Sequence, residues 1–131
     1  MKIYNFTVKT GKRTELIDIT KTVEDFIVKY GNWEGLCLVY SPHTTTAVII
    51  NEAYDSDVAL DINRFLDNLA PKNNNYRHAE GNSDAHIKAA IIGNSRILPY
   101  AGNKLILGRW EGIFLCEFDG PRQRNINIIL I

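Results

Sequence analysis

The chain has 131 residues, is 45% hydrophobic, and carries 15 basic against 15 acidic side chains, a formal net charge of zero. That length suits one domain, residues 1–131, around a single core. Zero net charge argues against nucleic-acid binding through bulk positive charge, and no apolar run approaches membrane-spanning length.

Lys2 to Lys9, with Ile3, Phe6 and Val8, predicts a strand of imperfect alternation. Gly11-Lys12 supplies a turn, and Glu15 to Ile19 is expected to return as the second strand of a hairpin. Thr20 is a candidate N-cap. Val23, Phe26, Ile27 and Tyr30 follow at helical spacing, with Gly31 placed to end the helix. Gly35 to Tyr40 reads as a buried strand, Ser41-Pro42-His43 breaks it, and Thr46 to Ile50 is the next strand. Asp55 to Ala70 puts Val58, Ile62, Phe65, Leu66 and Leu69 on one face of a longer helix, which Pro71 stops.

Lys72 to Asn82 is a loop by composition. Ser83 is expected to cap a third helix, Asp84 to Ile92, closed by Gly93. Four strands follow: Arg96 to Tyr100, Lys104 to Arg109, Gly112 to Asp119, and Arg122 to Ile131. The sum is an α+β domain with a largely antiparallel mixed sheet and two or three helices. Cys37 and Cys116 lie inside apolar runs and read as buried thiols. Met1 to Thr10 holds no continuous apolar stretch of a signal peptide. A cytoplasmic protein with reduced thiols is the expectation.

Chemistry concentrates in three segments. His78-Ala-Glu80-Gly-Asn82-Ser-Asp84-Ala-His86 holds two of the three histidines, and the third opens His43-Thr44-Thr45-Thr46. Imidazole is the usual neutral metal ligand and the usual acid/base near neutral pH. Three copies suit one divalent ion, zinc first. With Ser83 as cap, His86 would be the third helical residue, where free amides and the helix dipole favour a neutral ring and can hold an anion. Asp84 either orients a histidine or simply favours the dipole. Asn51-Glu52 places an amide and a carboxylate where a strand meets a loop. The third segment runs from Glu117 to Arg124. Alternation puts Glu117 and Asp119 on one face of one strand, and Arg122 and Arg124 on one face of the next. The charged ends meet across Gly120-Pro121, as a salt-bridge cluster or as a phosphate or carboxylate site with bidentate arginine.

Taken in order, His43-Thr44-Thr45, Asn51-Glu52, His78-x-Glu80-Gly81-Asn82-x-Asp84-Ala85-His86, Leu107-Gly108-x-Trp110 and Glu117-x-Asp119-Gly120-Pro121-Arg122-x-Arg124 resemble the YjbQ-like family, whose members are described as secondary thiamine-phosphate synthases. The resemblance spans nearly the whole chain. It implies a compact α+β subunit in a homotrimer, a site near the histidines for a divalent metal and phosphate-like anions, and a weak ability to join a pyrimidine diphosphate to a thiazole phosphate. Two departures stand out: Glu111 follows the motif tryptophan where the family usually has Gln, and Thr46 precedes Ala47 where a small residue is usual. Displacing pyrophosphate requires its charge to be neutralised, for which a metal ion, arginines and helix amides are suited.

The resulting site expectation has three parts. Glu80, Asp84, Glu117 and Asp119 are the candidate catalytic acids. Thr44, Thr45, Asn51, Asn82, Arg122 and Arg124 are the candidate substrate-binding groups. His43, His78 and His86 are the candidate metal ligands. The alternatives are metal-assisted hydrolysis of a phosphorylated metabolite, or binding of a small anionic metabolite without turnover.

Overall fold

The computed structural model describes all 131 residues, as eight strands and three helices. In chain order they are β1 (Lys2–Lys9), β2 (Glu15–Asp18), α1 (Thr20–Tyr30), β3 (Glu34–Tyr40), β4 (Thr46–Glu52), α2 (Ser56–Leu69), α3 (Ser83–Ile92), β5 (Ser95–Ala101), β6 (Lys104–Leu105), β7 (Glu111–Glu117) and β8 (Gln123–Leu130). The strands divide into two sheets, ordered β1-β8-β3-β5-β6 and β2-β7-β4. Every pairing is antiparallel. The expected α+β class holds, but two antiparallel sheets replace one mixed sheet.

The expected β1–β2 hairpin does not form. β1 instead pairs along its whole length with β8, from Lys2 opposite Leu130 to Lys9 opposite Gln123. β2 crosses to the other sheet and pairs with β7. The linker explains the crossing: the Glu15 carboxylate accepts from the amides of Gly11 and Lys12 and bends the chain away. An eight-residue ladder outweighs a short local turn. β7 and β8 likewise enter different sheets. The strand expected over Lys104 to Arg109 stops at Leu105, because Gly108 and Glu111 close a turn on each other.

Both expected caps shift by one residue. Thr20 is the first residue of α1, and its hydroxyl donates to Asp18 and accepts from the Ile113 amide. α3 begins at Ser83, so Asn82 precedes it and His86 is its fourth residue. The Ser83 hydroxyl turns to His78 instead of capping.

The main core lies between the sheets and α1, built on Val23, Ile27, Val39, Val48, Leu115, Ile126 and Ile128. Each such side chain contributes about 1.5–3 kcal/mol by leaving water. A second cluster, with Leu66, Ala85, Ala89 and Phe118, sits beneath α2 and α3. The apolar C-terminal run is therefore mostly interior: Ile126, Ile128 and Leu130 are buried, alternating with outward residues. α2 is apolar over a wider stripe than α3 covers, and Phe65 and Leu69 stay more than half exposed. No helix is long and apolar enough to cross a membrane.

Candidate functional site

β3 leaves its sheet at Ser41-Pro42 and delivers His43 beside β8. There His43 Nε2 accepts the Asn125 amide at 3.0 Å. Thr44 is exposed, and Thr45 and Thr46 are buried. The Thr45 hydroxyl accepts from Arg124 Nη2 at 2.8 Å. α3 brings His86 to the same recess, about 400 Å³ in volume, whose polar wall is His43, Thr44, Thr46, His86 and Asn94. No carboxylate lines it. The two alanines of α3 on its wall, Ala89 and Ala90, leave the space open. Burial first, then the Arg124 charge, holds the His43 imidazole below its ordinary pKa; Arg122 adds to this and Glu117 opposes it.

His86 also lines a second recess of about 370 Å³, with Tyr76, Arg77 and His78. The His78 and His86 rings meet edge-on, centroids 5.5 Å apart. His78 Nδ1 bonds the Ser83 hydroxyl at 2.8 Å, and its Nε2 lies 3.7 Å from an oxygen of the exposed Glu80. No three His, Cys, Asp or Glu side chains of the chain converge as metal ligands. His78 and His86 are together; His43 faces the other recess.

The C-terminal motif separates into two ion pairs. Glu117 is fully buried and accepts from Thr10 at 2.8 Å, from Arg124 Nε at 2.9 Å and from the amides of Phe118 and Asp119. Arg124 is 2% exposed, so this pair is sealed between the sheets. Asp119 lies outside the strand. It accepts from Arg122 Nη2 at 2.8 Å through its side chain and from Arg122 Nε at 2.9 Å through its carbonyl. Asn82 Nδ2 donates to the same carboxylate oxygen at 2.9 Å, while Asn82 Oδ1 is buried with no partner. Half the Arg122 side chain is exposed.

Asp84 has no exposed surface, and both its oxygens accept from Arg13 at 2.9 Å. Burial pushes its carboxyl pKa up, but the Arg13 bonds and the nearby Lys88 outweigh this and hold it below its ordinary value. Lys88, also buried, binds Asp67 and lies over the Phe118 ring. This network pins α3 to α2 and to the segment between β1 and β2. Arg13, Lys88, Asp67 and Asn94 escaped the sequence reading. The Asp84–Lys88 spacing of four residues was a visible signal for one helix face; nothing in the sequence marked Asn94.

Asn51 does not join the histidines. It stands at the far end of β4 opposite Gly112, about 17 Å along the strand from Thr46 at roughly 3.3 Å per residue. Its side chain accepts from the Glu52 amide. That end carries the exposed, edge-on Tyr54–Trp110 pair with Arg109 over the indole. Glu111, the departure from the usual Gln, accepts from the Gly108 amide at 2.7 Å, a bond that a Gln carbonyl would make equally well.

Residues 4–131 match the family model described as UPF0047 protein YjbQ-like. UPF0047 protein MJ1081 of Methanocaldococcus jannaschii is 44% identical over 129 residues, covering 98% of this chain and 94% of that protein. UPF0047 protein YugU of Bacillus subtilis is 46% identical over 122 residues, 92% of each chain. The crystal structure of a YjbQ/UPF0047 family protein from Clostridium acetobutylicum superposes with a TM-score of 0.95 at 42% identity, covering 98% of this chain and 99% of the other. That of APE1520 from Aeropyrum pernix also gives 0.95, at 39% identity, covering 100% and 98%. With the His43, His78–His86 and Glu117–Arg124 motifs in place on this fold, the chain belongs to the YjbQ-like UPF0047 family.

Proposed function

We propose that the recess between His43 and His86 binds a phosphorylated small molecule, and that the protein acts there as a transferase of the secondary thiamine-phosphate synthase type. One observation carries the reading. The recess is lined by imidazole, hydroxyl and amide groups without a carboxylate. Such a lining can donate hydrogen bonds to an oxyanion, a departing pyrophosphate included. Arg122 is the accessible arginine; Arg124, Glu117 and Asp84 act from behind, by holding β8, β7 and α3 in place. Glu80 and Asp119 are the remaining acids near the surface, and Asn82 positions Asp119.

The metal expectation narrows. Three such ligands do not converge within one chain, so a zinc ion at His78 and His86 would have to draw its further ligands from across a subunit boundary, and no step above depends on it. Metal analysis of protein purified without chelator tests this; an absence of stoichiometric metal would end it. Self-association as a homotrimer is supported by apolar side chains left on the surface, among them Leu36, Ile97, Phe65 and Leu69. Light scattering decides: a mass near 14.9 kDa refutes it.

The burial of Asp84 and Glu117 favours a second reading, anion binding without turnover. Calorimetry with inorganic phosphate and pyrophosphate tests the shared part, and absence of binding at millimolar concentration would sink both readings. Formation of thiamine phosphate from a pyrimidine diphosphate and a thiazole phosphate then separates transferase from binding protein.

A further inference from the structure

His43 does not fit the role of metal ligand that its chemistry first suggests. The reason is the sheet. Asn125 pairs with Thr7 of β1 on one side. On the other side β3 pairs with β8 only as far as Tyr40 opposite Asn127, then turns away at Ser41-Pro42. The Asn125 amide therefore faces a gap in the ladder, and the imidazole fills it with Nε2 at 3.0 Å. An amide N–H only donates, so Nε2 must offer a lone pair. A ring turned over would set a C–H against that N–H, donor against donor. A neutral imidazole carries one proton, and with Nε2 accepting, that proton is on Nδ1. A protonated Nδ1 has no lone pair for a metal. No group of the protein accepts from Nδ1, and it is not sealed in as an unpaired buried atom.

We infer that His43 is a hydrogen-bond donor through Nδ1–H, its tautomer fixed by the Asn125 amide, and that it recognises an oxyanion in the recess shared with Thr44, His86 and Asn94. The inference rests on the phosphorylated-ligand reading for its ligand, but not for its tautomer. Burial and the adjacent Arg124 keep the ring neutral, which is the state that leaves Nε2 free to accept. A neutral imidazole donor polarises a phosphoryl or carbonyl oxygen without adding a full charge, as neutral histidines do in some isomerases. His43 thus marks the oxyanion position and is not a metal ligand.

The test is nitrogen-15 spectroscopy of the His43 ring in the intact protein, with inorganic phosphate and Zn²⁺ as separate probes. Nδ1 is expected to show the protonated signature and Nε2 the unprotonated one. Phosphate should shift the Nδ1–H resonance, and Zn²⁺ should leave both nitrogens unchanged. An unprotonated Nδ1, or direct Zn²⁺ coordination by this ring, overturns the assignment. A correct tautomer with no phosphate response makes His43 a ladder cap only and overturns the donor role. No phosphate binding anywhere on the protein overturns the ligand reading and the donor role together, while the tautomer is still read from the free protein. Variants give a second measure. His43→Ala should weaken phosphate at least tenfold and His43→Asn, whose amide N–H lies near the Nδ1 position, should recover part of that; equal losses in both variants would count against the donor.

Discussion

Arg124 and Arg122 stand two residues apart, each paired with an acid that also stands two residues from its counterpart, yet they meet opposite fates. The Arg124–Glu117 pair is 2% and 0% exposed and is bound on every side by hydroxyls and amides. The Arg122–Asp119 pair is 50% and 18% exposed and sits on the turn between two sheets. Residue type and alternation do not distinguish them. What does is where the strands end: β7 stops at Glu117 and β8 starts at Gln123, so one pair is inside the sandwich and the other just outside it. A buried pair commits its arginine to the fold. A rim pair leaves an arginine aimed but available.

The sharpest way to break that comparison is to remove one member of the inner pair. Arg124→Ala leaves Glu117 buried without its partner and should cost about 3–5 kcal/mol in urea unfolding. Glu117→Met combined with Arg124→Leu should restore much of that loss, because the desolvation cost vanishes with both charges. A single Arg124→Ala variant of unchanged stability would mean the pair is not sealed.

Next in size is the clamp on α3. Arg13→Ala removes two charge-assisted bonds from Asp84 while Lys88 remains, and should cost about 2 kcal/mol. Asp84 also sets a pH dependence. Its carboxyl is held below the ordinary carboxylate value when folded, so it adds stability above the unfolded value, near 3.9, and loses it as acid protonates the folded group. The wild-type protein should therefore lose stability more steeply below about pH 4 than Asp84→Asn does. Parallel acid-unfolding curves would contradict the clamp.

The outer pair predicts the reverse pattern. Arg122→Lys should change stability by less than about 1 kcal/mol. Phosphate affinity should nevertheless fall roughly tenfold, since an ammonium cannot reproduce the planar fork. A folded Arg122→Lys protein with unchanged phosphate affinity would reduce Arg122 to a partner of Asp119 and nothing more.

The first two helices were legible because Val23, Phe26, Ile27 and Tyr30, and then Val58, Ile62, Phe65, Leu66 and Leu69, repeat with helical period, and Gly31, Pro71 and Gly93 punctuate all three. The gathering of Arg122 and Arg124 with Glu117 and Asp119 was also legible, as one of two readings, from alternation to either side of Gly120-Pro121; which arginine takes which acid was not. Sheet membership was not. β1 and β2 look like a hairpin locally, and only the eight-residue match of β1 to β8, over a hundred residues away, decides otherwise. Burial was hidden for the same reason. Asp84 and Glu117 resemble surface acids until distant Arg13, Thr10 and Thr45 close around them. His43, His78 and His86 look like one set because nothing in the sequence shows that α3 lies between two recesses.

The smallest effect expected reads what burial and the neighbouring inner pair together do to His43. If Arg124 and Glu117 cancelled fully, His43 beside them would feel neither. Instead the Arg124 charge lowers its pKa more than Glu117 raises it, on top of burial. In the unfolded chain His43 takes up a proton near pH 6.5. The folded ring resists until lower pH, so between those points the unfolded state binds more protons and stability falls as pH falls. His43→Gln removes the titration while its Oε1 can still accept the Asn125 amide and cap the ladder. Melting temperatures from pH 7.5 to 5.5 should decline less steeply for His43→Gln than for wild type, with the two lines closest at the alkaline end. All other histidines are common to both proteins and cancel in the difference. Identical slopes would mean that His43 protonates as readily folded as unfolded, and that neither its burial nor the Arg124 charge holds the ring below its ordinary value.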